Sequence, residues 1–393
     1  MGGLRGSLSA ICIAAAAAML SACSNTTLNQ VGTAAPGPEA QPQQQAGSTL
    51  GSGQIRVGLI LPLSAPGNAG VAAQSMKNAA QMALDEFKNP NIQLLVKDTA
   101  GNPQTAQQDA QQAMSEGAEI IIGPLFAQSV SAVGAVSRPR NIPVIAFSTD
   151  ASVASHGVYL LSFLPETDVK RIVDYQTSRG RRSFAALMPD NAYGSVVQAT
   201  FQQEVPRRGG RIVALEKYGP GRIAESARRV AQAASHVDNI FIPDGADTVP
   251  QVVKALAADN VNLKRVQLLG TGLWDDPRIF SDPQLHGGLY AAPETAGYRS
   301  FAARYRSKFG QEPVRTATLA YDAVALVAAL VKTQGAQRFS DQVLTNPSGF
   351  AGIDGVFRFR PDGTNERNLA VLRVTPNGGE VVSPAPRSFK PGT

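Results

Sequence analysis

Residues 120–150 read IIIGPLFAQSVSAVGAVSRPRNIPVIAFSTD, and their pattern decides the fold. The apolar run 118–122 has the length and continuity of a buried strand in a parallel sheet. Gly123-Pro124 breaks it. A helix with Val130, Val133 and Val136 on its apolar face can follow. Asn141 and Pro143 then flank a second apolar run, 142–147, which ends in Ser148, Thr149 and Asp150. Two strand ends thus release loops rich in small polar groups, and one of these loops feeds a helix N-terminus. Open parallel sheets bind ligands at such carboxyl ends, where helix amides point outward.

The same alternation extends in both directions. On the N-terminal side, 55–61 reads as a strand ending in a Pro62–Gly67 loop, followed by a helix carrying Ala72, Met76, Ala79, Ala80, Ala83, Leu84 and Phe87. A second strand, 92–96, closes with Lys97-Asp98, and Asn102-Pro103 starts the next helix. With strands 118–122 and 142–147 this makes four strand–helix alternations, which predict a parallel sheet with right-handed crossovers. Beyond a crossover strand at 159–164 the pattern restarts. Strands are expected at 183–188, 211–216, 239–242 and 266–270, with helices at 166–178, 195–205, 223–234 and 248–258. A further crossover at 289–292 leads to helices 298–309 and 316–331. The end looks like a hairpin of 355–359 and 370–374 around Asp362-Gly363, with 376–393 as an irregular tail. The fold class is therefore α/β, with two half-size parallel-sheet units and a cleft between them.

The 393 residues are 43% hydrophobic, enough for one large or two medium α/β domains. The net charge is +6, and after residue 291 there are 13 Lys and Arg against eight Asp and Glu. This excess reads as a solvated basic surface, or as contact with an anionic polymer or membrane surface. No basic run interleaved with aromatics is present, so nucleic acid is not an expected partner. A second basic group, Arg179, Arg181, Arg182, Arg207, Arg208 and Arg211, is a solvated face or a docking patch.

The first 23 residues have the make-up of a targeting segment: Arg5, an apolar stretch over 8–20 too short to span a bilayer, then Leu20-Ser21-Ala22-Cys23. The last four residues resemble the bacterial lipobox, which implies lipidation of Cys23 and membrane attachment through the lipid alone. Cys12 would be removed with the signal, so no intramolecular disulfide is expected. Residues 24–53 are rich in Gln, Pro, Gly, Ala and Thr and are expected to form a disordered tether. Its mean span would be roughly 30 Å and its extended limit about 100 Å. Ser24 after the cysteine slightly favours the outer membrane.

Motifs for catalysis or metal binding are weak. His156, His236 and His286 are isolated, and no GxSxG or Walker-type loop occurs. Gly270-Thr271-Gly272 lacks the third glycine of a dinucleotide fingerprint and reads as a loop after a strand. No enzymatic activity, metal or cofactor is expected. Trp274, the only tryptophan, follows a strand end, where it is either a stacking surface in the cleft or part of a lobe core.

Taken together, VGLILPLS (57–64), IIGPLFAQSV (121–130), NIPVIAFSTD (141–150), DNAYG (190–194) and GVFRFRPDGT (355–364) resemble the type I periplasmic solute-binding proteins of the leucine/isoleucine/valine branch. The resemblance spans roughly 55–374. It implies two Rossmann-like lobes, 54–162 plus 292–335 and 163–291 plus 336–375, joined by three crossings near Ser162, Ala291 and Gly335. It also implies a small ligand in the interlobe cleft, an amino acid or related compound, handed to the permease of an ABC importer. Ligand-binding positions carried over are Leu63, Ser64, Leu125, Phe126, Ser148, Thr149, Asp150, Tyr193, Asp244 and Trp274. Relative to amino-acid binders, Ala127 replaces a serine donor, Asp150 a threonine and Gly245 an aromatic, while Asp275 and Asp276 lie nearest to the usual ammonium acid. A free α-amino acid is therefore disfavoured in the usual pose, which leaves a cationic, neutral or larger ligand open. The chain also resembles the penicillin-binding-protein activator lipoproteins, which implies the alternative of regulating peptidoglycan synthesis through contact with a penicillin-binding protein. Either role places it in the bacterial cell envelope, in the periplasm.

Overall fold

The computed structural model describes residues 48–389. The targeting segment, Cys23 and most of the expected tether lie outside that range.

The first sheet holds β1 (Thr49–Leu50), β2 (Ile55–Leu61), β3 (Ile92–Asp98), β4 (Ala118–Ile122), β5 (Val144–Ala146) and β6 (Val158–Leu160). Their order is β1-β3-β2-β4-β5-β6, and all neighbours are parallel except β1, which runs antiparallel to β3. Residues 48–53 therefore belong to the fold rather than to a tether: Ser48 O accepts from Val96 N at 2.9 Å, and Leu50 packs on the core. Helices α1 (Asn68–Glu86), α2 (Pro103–Ser115) and α3 (Ala127–Ser137) connect the strands. Asn102 caps α2, accepting from the amides of Gln104 and Thr105, and Pro103 occupies the first turn, where a missing N–H costs nothing.

The second sheet repeats the scheme with α4 (Pro165–Ser178), β7 (Ser183–Pro189), α5 (Ala192–Arg207), β8 (Arg211–Tyr218), α6 (Ile223–Ala233), β9 (Asn239–Phe241), α7 (Val249–Ala258), β10 (Gln267–Gly270), the short α8 (Pro277–Phe280) and β11 (Leu289–Ala292). The chain then returns through α9 (Thr295–Phe309) and α10 (Ala317–Thr333) to the first lobe, where α10 packs its apolar face with α1 against the first sheet. Both sheets are covered on both faces. In the first, α1 and α10 lie on one side and α2 and α3 on the other; in the second, α6 and α7 oppose α4 and α5. Parallel strands buried on both faces explain the unbroken apolar runs in the sequence.

The C-terminal part departs from the expected hairpin. After α11 (Asp341–Leu344), strands β12 (Phe350–Gly352), β13 (Gly355–Phe359) and β14 (Asn365–Arg367) form a small antiparallel sheet, whose Phe357 and Phe359 join the first core. The Asp362-Gly363 turn docks on β6, with Leu160 N donating to Gly363 O at 2.8 Å. Strand β15 (Ala370–Thr375) pairs instead with β11, and β16 (Gly378–Ser383) pairs with β15 at the edge of the second sheet. The chain thus passes between lobes at 161–164, at 293–294 and at 368–369. The third passage is not near Gly335, because Leu344, Phe357 and Phe359 still belong to the first core. Segment 376–393 is likewise not uniformly irregular, since six of its residues form β16.

Candidate functional site

At the carboxyl end of the first sheet, β4 turns sharply at Gly123. Its φ is +94°, and a Cβ there would lie 2.0 Å from Ile60 O, so only glycine fits. The turn places Leu125 and Phe126 in front of α3, whose N-cap Phe126 offers no side-chain acceptor to the first amides. After β5, Ser148 is buried; its Oγ accepts from Asp150 N at 3.1 Å and its carbonyl accepts from Ser162 Oγ at 2.8 Å. Asp150 is exposed and caps the next turn, accepting from Ser152 N at 2.9 Å and Ser152 Oγ at 2.6 Å. The hydroxyl and amide of Ser152 hold its carboxyl below the usual range.

These segments enclose an open concavity of ≈ 350 Å³ lined mainly by apolar groups. Leu125, Phe126, Ser148, Thr149 and Asp150 from the sequence motifs contribute to it. Ala127, Phe147, Phe163, Thr316 and Leu319 complete the lining. Phe147 was visible as the last apolar residue of its strand motif. Phe163 and Thr316, from the first passage and from the turn before α10, carried no signal in sequence. Leu63 packs partly buried on the first core and Ser64 is exposed on the neighbouring loop, where its amide donates to Asp98 Oδ1 at 3.1 Å. Neither lines the concavity.

Beside the concavity, the Arg315 guanidinium lies 4.8 Å from the Phe163 ring centre and 4.6 Å from that of Tyr298. It is neutralised by a two-point pair with Asp354 at 2.9 and 2.6 Å. Arg367 is buried, 5.3 Å from the ring centre of Phe163 and 5.3 Å from that of Phe357. Asp322, buried nearby on α10, is pushed up to about 7 by burial, against the opposing pull of Arg367.

The second lobe presents a polar group at the carboxyl ends of β7, β9 and β10. Asn191 caps α5 by accepting from Gly194 N, which sets Tyr193 on the first turn. Tyr193 Oη lies 2.9 Å from Thr271 Oγ1, and burial together with the nearby Asp168 pushes its hydroxyl up. Asp168 accepts from Gly272 N at 2.9 Å. Burial raises its carboxyl to about 7 despite that bond, and Glu166 adds to the rise. Asp244 accepts from Tyr218 Oη at 2.8 Å and from Gly245 N at 2.7 Å. Sequence motifs found Tyr193 and Asp244 but not Asp168 or Thr271, because Asp168 reaches this place from the start of a helix more than a hundred residues away.

Trp274 is not a cleft wall. It is fully buried in the second core, its indole packs on Gly270 and Gly288, and its Nε1 donates to Ile242 O at 3.1 Å. The adjacent Asp275 is exposed and accepts from Tyr290 Oη at 3.1 Å. Asp276 caps α8 and pairs with Arg278 at 2.8 Å. Among the described residues, no group of three or more His, Cys, Asp or Glu has the arrangement of a metal site, and no helix is long and apolar enough to cross a membrane.

A family model described as periplasmic binding protein matches residues 54–380. The chain belongs to that family. Two solved structures share the fold: a branched-chain amino acid ABC transporter periplasmic ligand-binding protein from Burkholderia xenovorans LB400 (TM-score 0.68, 19% identity, 86% of this chain and 96% of that one) and a solute-binding protein of an ABC transporter from Rhodopseudomonas palustris BisB5 in complex with 3,4-dihydroxybenzoic acid (TM-score 0.59, 21% identity, 86% and 97%). Among curated proteins, the penicillin-binding protein activator LpoA of Pantoea ananatis is 27% identical over 205 residues, which cover 48% of this chain and 28% of the relative. The chain therefore spans little more than a quarter of that relative's length. The two-lobed α/β architecture expected from the sequence is the architecture of this family.

Proposed function

We propose that the protein is an envelope lipoprotein that binds a small ligand between its lobes and presents it to an ABC-type importer. The observation that carries this reading is the first-lobe concavity, built at the carboxyl ends of β4 and β5 where a parallel sheet receives its ligands. Its rings and aliphatic groups favour a ligand with an apolar body. Ala127 and the ionised Asp150 on the same wall disfavour a carboxylate at the α3 N-terminus. A neutral or cationic ligand is the expected class, and the polar group around Tyr193, Asp168 and Asp244 supplies acceptors for it on the second lobe.

A thermal-shift screen over amino acids, amides, amines and aromatic acids tests this. A ligand at a hundred times its dissociation constant adds about 2.7 kcal/mol of stability. Hits among amides and amines are expected; a flat response across all four classes would count decisively against a solute-binding role.

The similarity to the penicillin-binding protein activator LpoA supports a second reading, regulation of peptidoglycan synthesis by direct contact with a penicillin-binding protein. Affinity purification from the native envelope separates the two. Recovery of permease components supports the first reading, and recovery of a penicillin-binding protein without them supports the second.

A further inference from the structure

Strand β16 belongs to the second lobe, and the six residues that follow it lead away from there, with Ala385 still packed on the second core. Ala385 N donates to Glu294 Oε1 at 3.0 Å, and Glu294 lies in the second passage between the lobes. Asn368, in the third passage, donates from Nδ2 to Pro386 O at 2.9 Å and Ser388 O at 3.2 Å. Phe389 then seats on the small antiparallel sheet that joins the first core, its ring centre 4.3 Å from the Arg358 guanidinium of β13. The seat is shaped for a ring: Gly349 has φ +71°, and a Cβ there would lie 2.8 Å from Phe389 Cε2. At the other end, Arg171 of α4, the helix that begins after the first passage, donates from Nε to Leu369 O at 2.8 Å. Its Nη2 reaches Ser383 Oγ at 2.8 Å and Pro384 O at 3.4 Å.

We propose that segment 384–389 is a strap laced across the hinge, which limits how far the two lobes open. It is fixed to the second lobe through β16 and Arg171, bonded to two passages on the way, and held on the first lobe by the Phe389 seat. Domain hinges absorb their angular change in a few residues at such passages. Six residues span about 20 Å at full extension, so wide opening requires the ring to leave its seat. The device is independent of whether the cleft takes a solute or a partner protein, and rests only on the two-lobed fold.

Spin labels on α2 and α7 read the distance between lobes directly. The background is the full-length chain with Cys12→Ser and Cys23→Ser, labelled at the exposed positions Gln108→Cys and Lys254→Cys. In ligand-free protein the strap-intact chain should give a narrow distance distribution. Phe389→Ala combined with Asn368→Ala, and separately a chain ending at Ser383, should broaden it and shift its mean by several ångströms to longer distances. Distributions superimposable on the intact chain would overturn the strap. If the shortened chain does not fold, the double substitution, which removes only two half-buried anchors, decides by itself.

Discussion

Asp150 Oδ1 accepts both the amide and the hydroxyl of Ser152, so a charged carboxylate is held at the wall of the concavity beside Ala127. Asp150→Asn keeps an acceptor for the Ser152 cap and removes the charge. Calorimetric titration with carboxylate ligands such as leucine or benzoate is expected to show tighter binding by about 1 kcal/mol, roughly fivefold. Unchanged affinities would mean that the charge does not face the ligand. Trp274 makes the opposite case. In sequence it could stand in the cleft or in the core, since a residue after a strand end can turn either way. The structure places the indole in the second core with its N–H satisfied by Ile242 O. Trp274→Ala should therefore cost about 3–5 kcal/mol in urea unfolding, the cost of a large buried ring, and leave ligand affinity near that of the parent.

The strand–helix alternation was legible because strands buried on both faces print continuous apolar runs, and helices print a 3.6-residue period. Pairing partners leave no such mark. Segments 355–359 and 370–374 look like one hairpin, yet β13 pairs with β12 and β14 while β15 pairs with β11 and β16. Helix α4 shows a further consequence that periodicity cannot carry. Its first turn brings Asp168 under Gly272 N, where burial lifts the carboxyl to about 7, and Asp322 on α10 is lifted to about 7 as well. Both groups keep their protons in the folded protein at pH values where the unfolded chain, at 3.8, has lost them. Their contribution to stability is therefore fullest at the acid end and is lost as pH rises toward 7. Urea midpoints should fall between about pH 5 and about pH 7.5, and Asp168→Asn and Asp322→Asn should each flatten that slope. A slope unchanged in both variants would exclude them as its source.

The described residues form two doubly wound lobes joined by three passages, with no expected disulfide to hold them together. Polar and aromatic contacts from the first lobe brace the first passage, such as Arg315 between Phe163 and Tyr298 and Asn365 Nδ2 donating to Ser162 O at 2.8 Å. Attachment to the envelope is predicted to depend on Cys23, which lies outside the described residues. Cys23→Ser should move the protein from the membrane to the soluble fraction on cell fractionation while leaving its unfolding midpoint unchanged. Retention in the membrane fraction would refute lipidation at this cysteine.

Read alone, the sequence carried the α/β class and the strand ends that release loops rich in small polar groups, because these depend on local periodicity, while the departures at Ala127 and Asp150 followed from the resemblance to amino-acid binders. Tertiary structure alone decided that Phe163 and Thr316 close the concavity, that Asp168 meets Tyr193 and Thr271, that Trp274 turns inward, and that the segment after β16 recrosses the hinge. Each of these depends on which distant segments the packing of two cores brings together, and contacts across more than a hundred residues leave no period in the chain.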